Sequence, residues 1–367
     1  MSLLKLSDEG VDEALGAALD RSVRMADLHR DLSDVLSAGS VLRRDEPMAR
    51  RTTLRVGGPA DMYLEPATEA DLGEALSLAK THGVPVFVLG RGSNLLVRDG
   101  GLRALVVSLG QPVFSRVERV EGGLRCGAGA SLRQVALAAR DAGMTGLEFL
   151  EGIPGSVGGG LRMNAGAMGG WMFDVVDTMR FMDVEGGVHE VTGTEAGAGY
   201  RECPLLRRQV ALGAVLRGSP AARAEIEARL AESNRKRWAS QPKQPSAGCT
   251  FKNPRPELPA GRLIDELGLK GLRVGDAMVS DVHGNFFVNL GGATVRTCWS
   301  WCVGYGRWPC ESGGWSWRRR WKSWARRPRL DERTGADRGA AGRAFGGAGG
   351  VVAFRGGGGA GVGGVGA

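Results

Sequence analysis

The sequence predicts an α+β protein built from two or three domains. Three observations predict it. The chain has 367 residues, enough for that many cores. Strand-like and helix-like periods alternate between Thr52 and Leu109, and again between Phe114 and Gly143. Two glycine-dense stretches, around Gly90 and from Gly152 to Gly170, interrupt both periods.

Residues 10 to 45 place apolar groups at helical spacing among charges, and Pro47 closes the pattern, so one or two helices are expected there. From Thr52 the spacing predicts a short strand ending at Tyr63 or Leu64, a helix from Glu69 to Thr81, a strand in "VPVFVLG", a glycine turn, and a strand in "ALVVSL". "FSRVERVEGGLRCGAGAS" predicts two strands, and "LRQVALAARDAG" a helix. Eight glycines between Gly152 and Gly170 argue against helix and central strand alike, so this stretch is expected to be a loop shaped to approach something closely. "VVDTMRFMDVEGGVHEVT" reads as a hairpin turning at Gly-Gly. A third section begins near residue 215, with helices over Ala221–Trp238 and Gly261–Leu267, the Pro-rich "PKQPSAGCTFKNP" between them, and a loop and strand in "AMVSDVHGNFFVNLGGAT".

Charge divides the chain unevenly. Residues 296 to 367 hold 13 basic and 4 acidic residues, a net +9, with seven of the nine Trp and 19 of the 60 Gly. Residues 1 to 295 hold 35 basic and 36 acidic residues, a net −1. The formal +8 therefore belongs to the tail and is poor support for a nucleic-acid partner of the body, although Arg and Trp together also suit base stacking and phosphate contact. The charged opening segment predicts no export signal, and the lack of an 18-residue apolar run predicts no membrane insertion, so a cytoplasmic protein with reduced cysteines is expected. His29, His82, His189 and His283 lack metal-ligand spacing, and no metal is expected.

In "LGRGSNLLVRDGG" a strand is followed by Gly90 and Gly92, which leave the N–H groups from Arg91 through Asn94 able to converge on an anion, with Ser93 as a further donor. A diphosphate suits this turn; a plain strand connection is the other reading. No helix opens on the glycines and no P-loop Lys follows, which argues against a Rossmann dehydrogenase or a nucleotide hydrolase. Arg201 in "GYREC" can hold a carboxylate and stabilise developing enolate charge, and Cys249 in "AGCTFKNP" can deliver a proton. A surface Arg and a buried inert Cys remain the alternatives for these two.

Taken together, "LGRGSNLLVRDGG", "GIPGSVGGGLRMNAGAMG", "GYREC", "GCTFKNP", "AGRLIDELGLKG" and "VSDVHGNFFVNLGGAT" resemble, in order, the bacterial UDP-N-acetylenolpyruvoylglucosamine reductase family of peptidoglycan synthesis, across residues 45 to 294. The resemblance implies a two-part, non-Rossmann FAD-binding fold of the vanillyl-alcohol-oxidase type plus an α/β substrate-binding domain. It implies a helical segment over 1–45, FAD-binding subdomains at 46–110 and 111–214, a substrate domain at 215–295, incomplete at its end, and an atypical tail at 296–367. The FAD would be lined by Gly90, Arg91, Gly92, Ser93, Asn94, Leu95 and Leu96, by Gly152, Ile153, Pro154, Gly155, Ser156, Val157 and Gly158, and by Asn164, Ala165 and Gly166. NADPH would be the reductant and UDP-N-acetylglucosamine enolpyruvate the substrate. Arg201 matches the family's charge-stabilising Arg, and Cys249 stands where the family usually has a proton-donating Ser. Tyr200, Lys252, Asn253 and His283 would face the substrate. Another FAD-dependent oxidoreductase of related fold would share the glycine elements but lack "GYREC", "GCTFKNP" and "VSDVHGN".

After Thr294 the resemblance stops. Family members continue with a helix and end on a strand like "VELETEVEVVG", whose Glu assists reduction; this chain reads "VRTCWSWCVGYGRWPCESGGWSWRRRWKSWARRPRL". Codons permitted for "WSWRRRWKSW", read one base earlier, spell "VELETEVEVV". A displaced reading frame is therefore expected in the tail, leaving a sheet edge uncovered.

Overall fold

The computed structural model describes residues 8–255, 257–298 and 322–324. The chain separates into two compact units, Met1–Arg327 and Pro328–Ala367. Every described element belongs to the first unit; the second unit, and most of the atypical tail, lie outside the described residues.

Helix α1 (Asp8–Val35) buries Met25, Leu28 and Leu32, spaced to share one face. It stops well before residue 45, and Val41–Pro47 is strand β1, a correction to the helical segment read from the sequence. The cause is tertiary: the Ser37 N–H and hydroxyl, with the Ser40 hydroxyl, donate to the Asp71 carboxylate and turn the chain into sheet pairing. β2 (Pro59–Glu65) pairs antiparallel with β1. Helix α2 (Glu69–Thr81) opens on a reciprocal Thr68–Asp71 capping box. β3 (Val86–Leu89), β4 (Leu95–Val97) and β5 (Leu102–Ser108) follow, giving a sheet in the order β1-β2-β5-β3 with β2 and β3 parallel to β5.

The second layer runs β6 (Val117–Val120), β7 (Gly123–Gly127), α3 (Leu132–Asp141), β8 (Met144–Thr145), α4 (Val157–Met163), the short pair β9 (Gly166–Ala167) and β10 (Gly170–Trp171), α5 (Met172–Val175), β11 (Val176–Met182), β12 (Val188–Thr192) and β13 (Val210–Arg217). Its antiparallel sheet has the order β12-β11-β13-β7-β6. β13 remains paired to Arg217, so the boundary expected at 214 cuts a continuous strand and belongs after it. Helix α4 corrects the expectation of a loop: "VGGGLRM" is helical although it holds three successive glycines. Packing outweighs propensity here, because a Cβ at Gly158 would lie 3.1 Å from Ala128 Cβ and one at Gly160 3.4 Å from Leu132 and Met172. Both layers close over one core that includes Leu64, Leu105 and Val107 with Leu124, Leu132, Leu161 and Leu216.

β14 (Ser219–Pro220) pairs with β8 and leads into α6 (Arg223–Ser240), which buries Ile226 and Leu230. β15 (Ser246–Cys249), α7 (Ala260–Glu266), β16 (Arg273–Val274), β17 (Ala277–Val279) and β18 (Phe286–Asn289) build the third section, an antiparallel sheet in the order β15-β18-β17-β16. Its core joins Ala247, Phe251, Ile264 and Phe287 to Leu54, Val56 and Leu96 from the first section. A helical turn opens at Val295, where the Thr294 hydroxyl accepts the Thr297 N–H and the Thr297 hydroxyl accepts the Thr294 N–H. β19 (Lys322–Trp324) pairs parallel with β4, Lys322 opposite Leu95 and Trp324 opposite Val97. Part of the tail thus meets a strand of the body.

Candidate functional site

Backbone geometry brings the two glycine stretches together. β3 ends at Leu89, and a Cβ on Gly90 would lie 2.8 Å from Ser156 Oγ. Ser156 is the N-cap of α4, its hydroxyl accepting the Gly159 N–H at 3.3 Å. Gly92 takes φ +63°, and a Cβ there would meet the Arg51 carbonyl oxygen at 2.1 Å, so only glycine allows this turn. Among the described residues, no protein acceptor takes the N–H groups of Arg91, Gly92, Ser93 or Asn94. Residues 152 to 158 run along the segment 128–132, with Gly155 O accepting from Leu132, Val157 N–H donating to Ala130 and Gly158 N–H to Ala128.

Helix α4 links this cradle to the Arg201 loop. Asn164, left-handed at φ +39°, ends the helix, and its side-chain amide donates to Gly199 O at 3.2 Å while its side-chain oxygen accepts from Phe173 N–H. Cys203 N–H donates to Arg162 O, and Arg162 Nη1 donates to Cys203 O. Burial lowers the Arg162 pKa. Ala165 and Gly166 follow directly, and Gly166 lies so close to Trp171 that a Cβ would meet its ring at 2.5 Å.

Arg201 itself sits at φ +61°, with its guanidinium carbon 5.0 Å from the Trp171 ring centre and 5.5 Å from that of Tyr200. The two rings meet edge to face at 5.8 Å. The Arg201 Nε and Nη1 atoms are buried with no hydrogen-bond partner. A half-buried guanidinium beside two aromatic rings, with two buried and unmatched nitrogens, has the chemistry to receive an anion. Glu202 beside it is held below the usual carboxylate range, first by its hydrogen bond from Arg207.

Cys249 comes from the third section. Thr53 joins that section to the cradle: its N–H donates to Gly92 O and its hydroxyl to Ser246 O at 2.6 Å. Gly248, at φ +72°, faces the Ser93 carbonyl. Cys249 is partly exposed, whereas burial pushes the Cys126 thiol up to about 12 and raises that of Cys203. The structure thus sets Gly90 against Ser156, ties the loop of Arg201 to Arg162 and Asn164 at the end of α4, and brings Gly248, the neighbour of Cys249, to Ser93 O. Asn253 and His283 are engaged differently. The Asn253 side-chain oxygen accepts the Ala260 N–H at the start of α7. The His283 ring packs on Phe286 and under Gly261, its Nδ1 accepts the Asn285 N–H, and burial lowers its pKa, favouring the neutral imidazole.

Sequence reasoning missed Thr53, Trp171, Arg237 and Asn285. Arg237, in the last turn of α6, has its Nε buried without a partner and its guanidinium 5.1 Å from the Trp238 ring centre. Trp171 carried a signal, as the aromatic residue bordering the glycine-dense stretch; Thr53 carried none, since its importance lies in contacts between sections.

The chain is similar in sequence and fold to known proteins. Residues 60–192 match the FAD binding domain family, and residues 241–301 match the C-terminal domain of UDP-N-acetylenolpyruvoylglucosamine reductase. The UDP-N-acetylenolpyruvoylglucosamine reductase of Geobacter metallireducens is 47% identical over 262 residues, covering 70% of this chain and 85% of that protein. The enzyme of the same description from Rhodospirillum rubrum is 45% identical, covering 69% and 81%. The crystal structure of UDP-N-acetylenolpyruvylglucosamine reductase from Thermus caldophilus superposes with a TM-score of 0.67 at 38% identity, covering 78% of this chain and 99% of that one.

Proposed function

This chain belongs to the UDP-N-acetylenolpyruvoylglucosamine reductase family, and from that premise we infer how its residues divide the work. It is an FAD-dependent oxidoreductase that reduces UDP-N-acetylglucosamine enolpyruvate to UDP-N-acetylmuramate at the expense of NADPH, a step in peptidoglycan precursor synthesis. The observation that carries the residue-level reading is Arg201, half-buried beside Trp171 and Tyr200 with two buried, unpartnered nitrogens.

The residues present fit FAD. The contact between Gly90 and Ser156 makes a cradle that a methyl group would fill, and the run of unmatched N–H groups from Arg91 to Asn94 suits its diphosphate. Gly90 to Leu96, Gly152 to Gly158 and Asn164 to Gly166 hold the cofactor, which supplies the hydride relay between NADPH and the enolpyruvyl methylene carbon. The remaining chemistry falls to the chain. As hydride adds to the methylene carbon, the displaced electron pair moves toward the carboxylate as an enolate, and Arg201 stabilises that charge. The Cys249 thiol then gives its proton to the adjacent carbon, and solvent returns a proton to the thiolate. A thiol, ordinarily near about 8.5, is a stronger acid than a Ser hydroxyl and needs less activation for this step.

Tyr200, Lys252 and Arg237 face the anionic parts of the substrate; the free edge of Asn253 and the His283 turn border them. Among the described residues no helix is long and apolar enough to cross a membrane. The reaction belongs in the cytoplasm, where NADPH is supplied, and needs no nucleic acid. Cys249→Ser and Cys249→Ala test the proton donor by following flavin absorbance after NADPH reduction. Reoxidation by the substrate should stay measurable in the Ser variant and be mostly lost in the Ala variant; wild-type rates in both remove Cys249 from the mechanism.

A further inference from the structure

We propose that Asn285 is the positioning residue that aims Cys249 at the substrate, an inference that rests on Cys249 being the proton donor. β15 does not run flat along β18. Ser246 lies opposite Val288 but Cys249 opposite Phe286, so one extra residue is accommodated between them, at Gly248 with φ +72°. A bulge of this kind re-aims the side chain that follows it and also removes ladder hydrogen bonds that would hold that side chain in place.

Asn285 restores them. Its side-chain oxygen accepts the N–H groups of Thr250 at 3.1 Å and Phe251 at 2.8 Å, and its side-chain nitrogen donates to Phe251 O at 2.9 Å. Its own carbonyl accepts Thr250 N–H at 2.8 Å. The amide thus takes the place of a missing peptide group, immediately after the cysteine. It is rigid itself: the residue is 2% exposed, and the Asn285 N–H is fixed on His283 Nδ1 in a turn that also ties Val282 N–H to Ser280 Oγ. The turn is packed tightly enough that a Cβ on Gly284 would lie 2.7 Å from Gly261 O. The loop that carries Arg201 is clamped independently, Asn164 donating to Gly199 O before it and Arg162 to Cys203 O after it. The separation of proton donor and charge stabiliser is therefore set by two clamps, one on each loop, and Asn285 is the clamp on the Cys249 side. This gives His283 a role as well, as the support that orients Asn285.

The test is a double-mutant cycle on the FAD-loaded enzyme, measuring reduction by NADPH and reoxidation by UDP-N-acetylglucosamine enolpyruvate separately. Asn285→Ala should slow reoxidation about tenfold to a hundredfold, the scale of an ångström of misplacement, while FAD content and the reduction rate stay within about twofold. In a Cys249→Ala background it should change reoxidation less than about twofold. Alkylation of Cys249, read by mass spectrometry against buried Cys126 and Cys203, should speed up in Asn285→Ala. Asn285→Asp keeps the acceptor for both N–H groups but loses the donor to Phe251 O, so it should recover part of the rate; it carries the same test if the Ala variant does not fold. Equal slowing of both half-reactions, or an undiminished effect of Asn285→Ala when Cys249 is already Ala, overturns the positioning role. If instead Cys249→Ala reoxidises normally, the proton-donor reading itself is what fails.

Discussion

Substituting Gly90 by Ala tests whether the two glycine stretches meet as one cofactor cradle. The added Cβ would lie 2.8 Å from Ser156 Oγ, and an ordinary contact needs at least 3.4 Å, so the pair must open by about 0.6 Å. Gly90 does not require a positive φ, so the backbone accepts Ala and the effect isolates the contact. Because the clash is with a side-chain tip, the cheapest response is rotation of the Ser156 hydroxyl away from Gly159 N–H. That forfeits the N-cap of α4 at about 1 kcal/mol. About 1 kcal/mol at the cradle corresponds to about fivefold weaker FAD affinity. Quenching of flavin fluorescence during titration of apoprotein measures it. Ser156→Gly removes the obstructing hydroxyl and keeps an acceptable cap residue. The double variant Gly90→Ala with Ser156→Gly should therefore bind FAD within about twofold of Ser156→Gly alone. Unchanged affinity in Gly90→Ala, or a double variant that binds no better than Gly90→Ala alone, refutes the contact as the cause.

Two further outcomes are expected. Burial pushes the Asp71 carboxyl up, but hydrogen bonds from the Ser37 N–H and hydroxyl and from Thr68 and Ser40 outweigh it and bring it down to about 2 from 3.8. A depressed folded-state value stabilises the fold above 3.8, and that stability is lost as pH falls toward 2. Asp71→Asn should thus be less stable than the parent in urea at about pH 7, with the gap closing between about pH 4 and pH 2; a gap independent of pH contradicts the assignment. For the tail, resequencing codons 290 to 330 should reveal a one-base displacement, and replacing residues 296–367 by the restored frame should raise both melting temperature and turnover. A clean read of the present frame together with full turnover of the present chain rules the displacement out.

Much of the site was legible in the sequence because its chemistry lies in short, contiguous stretches. A glycine turn after a strand, at Gly90 and Gly92, advertises a close approach whatever surrounds it, and Arg201 and Cys249 each sit in a compact motif. Helix α2 was legible to the residue, since Thr68 and Asp71 form a local capping box. Elements whose state depends on distant partners were misread. Residues 41 to 47 carry a helical period but pair as β1 because β2 offers an edge and Asp71 seizes the turn before it. The glycines of α4 oppose a helix locally and are required by the close packing against Ala128 and Leu132.

By itself, the sequence determined the α+β class, the division of charge between body and tail, the set of glycine turns and the family, because each of these is written in local spacing or in ordered motifs. The tertiary structure alone decided which of the singled-out residues converge. It set Gly90 against Ser156, placed Arg201 beside Trp171 and Tyr200, turned Asn253 toward α7, and gave Asn285 the task of holding the segment after Cys249. The physical reason is the range of the interactions. Backbone preferences act within a few residues and can be read along the chain, whereas burial, hydrogen-bond matching and charge pairing act between segments as far apart as Thr53 and Ser246, and exist only once the chain has folded.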